Sequence, residues 1–383
     1  VTELAFVDRV RQRLARSASE PWAVGAAVRN EQSRASVIAD DTALAAIERD
    51  VTAEVAGAGP LEPLLALPGV SDVLVNGPDD VWLDRGRGLE RAPVRFTSDA
   101  AVRRLAVRLA AAAGRRLDDA SPWVDARLPD GTRLHAVLPP IASRTTLSLR
   151  VLARRRFDLR ELVEARVGEL LRATVAARLT LVISGGTGSG KTTLLGGLLG
   201  CVPPSERLLV IEDAPELVTS HPHVVRLVTR TPNVEGSGAV GLRDLVRQAL
   251  RMRPDRLVVG EFRGAEIVEL LVALNTGHEG GAATLHANAA ADVPARLYAL
   301  GALGGLSQAA VTSQAASALD VVLHLRRTRS GDRRVAEIGV LERVGDELVV
   351  APVWSCVRGP ERRAGALIER LADRGVDPGG LLC

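Results

Sequence analysis

The sequence predicts an α/β fold in two parts, a smaller mixed α+β domain followed by a larger domain built on a parallel sheet. From residue 179 onward, short apolar runs alternate with helical text, the pattern of strand–helix–strand units whose sheet is covered by helices. Between about 55 and 152, short period-two strands separated by Asn/Gly/Pro turns surround one amphipathic helix. The 383 residues are 46 % hydrophobic and 25 % charged, which excludes a disordered chain and allows two or three domains.

Residues 1–54 are expected to be helical, because Leu4, Val7, Val10 and Leu14, and later Leu44 and Ile47, recur at helical spacing. The run from Gly57 to Pro60 breaks that pattern. VSDVLVNGP, DVWLD and VRF then have the period of strands, with turns at Asn76-Gly77-Pro78 and at Gly86 and Gly88. Ser98-Asp99 opens a helix that ends at Gly114. VDARLPDG, TRLHAVLPP and TTLSLRVL return to strand. The expected division is a helical segment over 1–54, a mixed α/β domain over 55–152, a charged linker over 153–165, a P-loop domain over 166–356 and a tail over 357–383.

In the larger domain LTLVISGG, RLLVIED, VVRLVTR, RLVVGE and AATLHAN are the expected strands, separated by helices. DVVLHLRR, RRVAEIGVLERV and ELVVAPVW are expected as antiparallel hairpins at a sheet edge. After Val357 a charged helix with a glycine-rich end is expected.

No run of 18 or more uncharged apolar residues occurs, so no transmembrane helix is expected, and the first residues lack the apolar core of a signal peptide. A cytoplasmic protein is the expectation. The three cysteines, Cys201, Cys356 and Cys383, are scattered and suit neither a disulfide framework nor a metal knuckle. Net charge is only +3 with acids and bases interspersed, so direct nucleic-acid binding is not favoured.

Of 49 basic residues, Lys191 is the single lysine. It stands in Gly185-Gly186-Thr187-Gly188-Ser189-Gly190-Lys191-Thr192, which fits GxxxxGK[ST] between an expected strand and an expected helix. Glycines let backbone N–H groups turn inward around phosphates, and the helix N-terminus adds a favourable dipole. Lys191 would neutralise the terminal phosphates of ATP and Thr192 would ligate Mg²⁺, with Thr193 completing the phosphate-binding stretch.

Glu212 and Asp213 fall at the carboxyl end of RLLVIED, and Glu261 closes RLVVGE. Acidic groups there can orient Mg²⁺ or polarise an attacking water. Glu212 and Glu261 both remain open for either role. Asn275 to Asn288 holds His278 and His286 in a polar stretch around a strand. No Cys or carboxylate cluster accompanies them, so γ-phosphate sensing by one of the two is expected rather than metal binding.

In these motifs the chain resembles the type II/IV secretion ATPase superfamily, in its CpaF/TadA-like branch associated with Tad (Flp-type) pili. The resemblance runs from about Gly59 to Val353. GPLEPLL, VNGP and DARLPDGTRLHAV are similar to that branch's N-terminal domain. GGTGSGKTT is similar to its Walker A, IEDAPEL to its Asp box, RPDRLVVGE to its Walker B and NTGHEGGAATLHAN to its His box. The resemblance implies a RecA-like P-loop ATPase domain working as a homohexameric ring on an inner-membrane platform protein, peripheral at the inner face of the membrane. It also implies phosphate-directed arginines, for which the matching positions are Arg127, Arg133 and Arg150, with Arg226 and Arg230 as further candidates. No CxxC pair follows the Walker B segment, which points away from the branches that carry a zinc tetracysteine.

Three functions are compatible with these residues: a motor for a Tad-type pilus or related secretion machine, a conjugal DNA-transfer ATPase, and a nucleotide-gated regulatory or scaffold protein with little turnover.

Overall fold

The computed structural model describes residues 57–377, apart from 87, 152–154, 231, 233–236, 329 and 362. The helices expected over 1–54, Cys383 and the end of the tail lie outside the described residues. The chain divides into two compact units, Val1–Leu152 and Ala153–Cys383.

The first unit is a six-stranded sheet in the order β3-β2-β1-β6-β5-β4. Its strands are β1 Asp72–Val75, β2 Val81–Asp84, β3 Leu89–Arg91, β4 Trp123–Arg127, β5 Arg133–Val137 and β6 Thr146–Arg150. Every pairing among them is antiparallel. Alternate residues such as Val73, Val75, Leu134, Ala136, Leu147 and Leu149 are buried in one core, as expected of a sheet with one covered face. The helix α1, Asp99–Ala112, shares that core through Val102, Leu105, Ala106 and Leu109. Its N-cap is Ser98, whose hydroxyl accepts from the Ala101 N–H at 3.3 Å, and Gly114 beyond its end takes a φ of +67°. Asp99 reaches out of the first turn to accept from Thr145 N and Oγ1, both at 3.0 Å, tying α1 to the start of β6.

The strand expected at VRF is absent; β3 lies earlier, at Leu89–Arg91. Pro93 has no N–H to donate and ends the ladder. On either side of it the chain is held by single bonds, Ala92 N to Val81 O before it and Phe96 N to Pro78 O after it, both 2.8 Å.

The second unit is a nine-stranded sheet in the order β15-β14-β13-β12-β7-β11-β10-β8-β9. Here β7 is Leu181–Gly185, β8 Leu208–Glu212, β9 Val224–Val228, β10 Arg256–Val259 and β11 Ala282–Leu285. β12 is Val321–Arg327, β13 Arg333–Val344, β14 Glu347–Ser355 and β15 Gly359–Pro360. From β9 to β12 all pairings are parallel; from β12 to β15 they are antiparallel. β7, β8 and β10 are buried along their whole length, because helices cover both faces. Leu181 and Ile183 point into one core with α2 (Ala165–Ala176) and α3 (Lys191–Leu199). Val182 points into the other, with α4 (Leu242–Ala249), α5 (Ile267–Asn275), α6 (Val293–Leu303) and α7 (Gln308–Ala318).

The position of one strand differs from the expectation. DVVLHLRR was expected in an edge hairpin, yet β12 lies inside the sheet, parallel to β7 and antiparallel to β13. Its first five residues are buried; only its charged end has the character of an edge. The charged helix expected after Val357 is present as α8, Ala364–Asp373, and its Leu367 and Leu371 enter the same core as β7. At the other end Leu159, within the span expected as a linker, is 1 % exposed and belongs to that core too.

Candidate functional site

The order β12-β7-β11-β10-β8 places four chemistry-bearing segments side by side at the carboxyl ends of parallel strands, where open α/β sheets bind ligands. The glycine-rich loop follows β7, His286 follows β11, Glu261 follows β10 after Gly260, and Glu212 ends β8.

The loop's shape depends on its glycines. Gly185 has φ +150°, and a Cβ there would lie 2.6 Å from the Leu325 carbonyl oxygen and 2.7 Å from Ser189 Oγ. Gly188 and Gly190 have φ of +71° and +95°, which other residues adopt only with strain. Gly186, Thr187 and Gly188 are exposed, whereas Ser189 is 2 % exposed and its hydroxyl has no partner within the protein. α3 begins at Lys191 with Gly190 as its N-cap. Its Gly196 packs so closely on the neighbouring chain that a Cβ would lie 2.1 Å from Val218 O, which explains a glycine in mid-helix.

Lys191 is 8 % exposed. Its ammonium donates to Gly185 O at 3.0 Å and Gly186 O at 3.1 Å, and lies 3.2 Å from His286 Nδ1. Burial lowers its pKa below the ordinary lysine value, and the Glu261 carboxylate opposes that shift. An ammonium can only donate, so Nδ1 of His286 accepts and Nε2 carries the hydrogen. Nε2 is 2.8 Å from Glu261 Oε1. The result is a continuous chain from carboxylate through imidazole to ammonium.

Glu261 is oriented from both sides. Thr284 Oγ1 donates to Gly260 O at 2.6 Å and Phe262 N donates to Thr284 O at 2.9 Å, which fixes the turn carrying Glu261. Its second oxygen, Oε2, accepts from Arg263, whose Nη1 is also 3.8 Å from Asp213. Arg263 was not singled out in the sequence, although it stands two residues after Glu261.

Glu212 has a different environment. It is 3 % exposed. Oε1 accepts from Glu216 N and Leu217 N at 2.9 and 2.8 Å, and Oε2 from Arg226 at 3.2 Å. The carboxylate therefore holds the turn after β8 and one arginine of β9. Burial raises its pKa to about 6, against the pull of the Leu217 N–H and Arg226. A carboxyl raised from 4.5 to about 6 binds its proton more tightly in the folded than in the unfolded chain. Its contribution is thus full below 4.5 and lost as pH rises through about 6, on the order of 2 kcal/mol. Relative to Glu212→Gln, wild-type protein should lose thermal stability between pH 4.5 and 6 and then level off; parallel curves would contradict this.

The two histidines separate. His286 belongs to the lysine–glutamate chain. His278 precedes β11, at the opposite edge of the sheet from the loop, and its Nδ1 donates to Ala273 O at the end of α5, 3.1 Å away. A third histidine, His324, is 1 % exposed in β12, with Nδ1 3.0 Å from Ser184 Oγ just before the loop. Burial pushes its pKa down, so it supports β7 as a neutral ring.

Asp213 and Arg230 line a cleft of about 620 Å³ together with Arg243, Asp244, Arg263 and Glu266. Arg230 also donates to Gly238 O at 2.6 Å. Arg127, Arg133 and Arg150 lie in the first unit, where cross-strand register aligns Arg127 with Arg133 and Arg133 with Arg150. Arg133 pairs with Asp125 at 3.3 Å and Arg150 with Asp72 at 2.9 Å. Among the described residues no cluster of three metal-ligating side chains occurs and no helix is long and apolar enough to cross a membrane.

The sequence profile described as Type II/IV secretion system protein matches residues 54–362. "Putative conjugal transfer protein Rv3659c" of Mycobacterium tuberculosis is 54 % identical over 346 residues, covering 87 % of this chain and 98 % of that protein. "Probable conjugal transfer protein TrbB" of Sinorhizobium fredii is 33 % identical over 284 residues, covering 72 % and 84 %. The crystal structure of the pilus retraction motor PilT with bound ADP aligns with TM-score 0.51 and 20 % identity, over 82 % of this chain and 88 % of that one. That last likeness is one of fold.

Proposed function

The chain belongs to the Type II/IV secretion system protein family, and from that premise we propose that it is a motor ATPase hydrolysing ATP at the Gly185–Thr192 loop. The observation that carries the reading is the Glu261–His286–Lys191 chain beside that loop. Lys191 moves its donors from two loop carbonyls to the β- and γ-phosphates, and the loop's backbone N–H groups hold the phosphate chain. Ser189 Oγ, buried without a protein partner, supports a polar ligand at this place. Glu261 orients the attacking water, because it is joined through His286 to Lys191 at the loop, whereas Glu212 is 3 % exposed and turned to the backbone of the β8 turn and to Arg226. His286 links the state of the phosphates to Glu261. Thr193, one residue further into α3, completes the phosphate-binding stretch.

Mg²⁺ fits this donor set through Thr192 and Glu261, with the remaining positions left to phosphate oxygens and water, the usual arrangement for this ion at phosphates. Glu212 fits less well as a ligand, being 3 % exposed and bonded to two backbone N–H groups of its own turn. When bound, the ion would neutralise charge developing on the phosphates.

The working form is a homohexamer with the 55–152 domain and the 166–356 domain moving against each other. Arg127, Arg133 and Arg150, in one row across the first sheet, are the arginines directed at phosphate. The ring works at the cytoplasmic face of the membrane on a platform protein. The motifs favour a Tad-type pilus machine; a second reading, conjugal transfer, is favoured by the names of the two relatives above.

Steady-state phosphate release tests the activity. It should fall at least ~10²-fold in excess EDTA and return with Mg²⁺. Release equal to a protein-free blank, with Mg²⁺ present, would favour a nucleotide-gated scaffold instead.

A further inference from the structure

The loop after β7 has a second flank. β11, with His286 beyond its end, pairs with one side of β7; β12 pairs with the other. Leu325 of β12 is level with Gly185, so β12 runs two residues past the point where β7 ends and continues beside the loop. There the β12–β13 hairpin sets Arg327 directly opposite Arg333 and Arg326 directly opposite Arg334.

Like charges directly opposed across two strands repel, and this end of the hairpin concentrates positive charge in two such pairs. The strand period separates the arginines into two faces. Arg326 and Arg334 share one, where Glu337 comes within 3.9 Å of Arg326. Arg327 and Arg333 share the other, and that face meets the loop. A Cβ on Gly190 would lie 3.2 Å from Arg333 Cδ and 3.9 Å from Leu325 Cδ2, and one on Gly188 would lie 3.9 Å from Arg327 Nη1.

We propose that Arg327 and Arg333 form a same-chain clamp on the phosphate chain of the bound nucleotide, closing the loop from the side opposite His286. The inference rests on the loop being a nucleotide site. Phosphate is the chemistry indicated, because the Arg327 guanidinium and the stem of Arg333 stand beside the glycines whose N–H groups cradle phosphates, and because a guanidinium fork binds two phosphate oxygens at once. This pair is distinct from the arginines at 127, 133, 150, 226 and 230, and it needs no neighbouring subunit.

The test compares Arg327→Gln/Arg333→Gln with Arg326→Gln/Arg334→Gln, which removes the same charge from the outward face. The probes are a fluorescent ATP analogue, and inorganic tripolyphosphate as its competitor. The inward pair should weaken both affinities by at least about tenfold, and the outward pair by less than about twofold. Unchanged thermal midpoints show that both variants fold. Unchanged affinity in the inward variant, while Lys191→Ala no longer binds, would overturn the clamp and leave the nucleotide site standing. Equal loss in both variants would also overturn it, as an effect of net charge alone. Loss of the ATP analogue without loss of tripolyphosphate would overturn the assignment to phosphate. Wild-type protein that binds neither probe would remove the nucleotide reading itself, and the clamp with it.

Discussion

Lys191→Ala should lower ATP turnover by at least ~10²-fold while the protein keeps its fold. The lysine's ammonium is buried, and it bonds to two loop carbonyls and one imidazole. None of these partners neutralises a full positive charge at short range, and burial works against the charged form. Phosphate would supply that charge. Removing the side chain exposes Gly186 O further but leaves the apolar residues of α3, Leu194, Leu195, Leu198 and Leu199, in their core. The thermal midpoint should therefore stay within a few degrees of wild type or rise, since an ionised group no longer has to be buried. Lys191→Arg should fail as well, because a planar fork is a poor replacement for a compact ammonium inside the glycine cradle. Turnover is read by phosphate release and the fold by circular dichroism. Substantial turnover by folded Lys191→Ala would refute the assigned role.

Glu261→Gln should lower turnover by about 10²–10⁴-fold and leave ATP affinity within a few-fold of wild type. An amide oxygen can still accept from His286 Nε2, 2.8 Å from the present carboxylate, so the turn and the ring keep their places. What is lost is the negative charge that orients water in the transition state. Glu212→Gln offers the contrast. That side chain already accepts from two backbone N–H groups and an arginine, so its replacement should act mainly on stability and its pH dependence. Measured kcat and nucleotide Kd for the two variants separate these roles. A larger turnover loss at Glu212 than at Glu261 would reverse the assignment.

Much of the second unit could be read from its residues. β7, β8 and β10 each hold an apolar run, over 181–183, 208–211 and 257–259, because both faces of the sheet are covered, and the GxxxxGK[ST] spacing marked the loop after β7. The register of strands was not legible. β12 carries charge only at its end, Arg326 and Arg327, and this made an internal strand look like an edge. The two histidines of one polar stretch are likewise inseparable in sequence, since they flank a four-residue strand. Only the parallel pairing of β11 with β7 puts His286 at the loop and His278 at the far edge. Glu212 and Glu261 were equally plausible as acids at strand ends. Their difference lies in backbone donors supplied by Glu216 and Leu217, which no spacing rule reveals. Arg263 gives no local signal as one arginine in a chain with 49 basic residues, and the doublets Arg326-Arg327 and Arg333-Arg334 read in sequence only as short basic clusters of a solvated or interface face.

A structure of the protein with Mg²⁺ and a non-hydrolysable ATP analogue tests the central claim most directly. In it Lys191 Nζ should be withdrawn from Gly185 O and Gly186 O onto the terminal phosphates, with Glu261 and His286 facing the γ-phosphate. A nucleotide bound elsewhere, with Lys191 still on the two loop carbonyls, would contradict it.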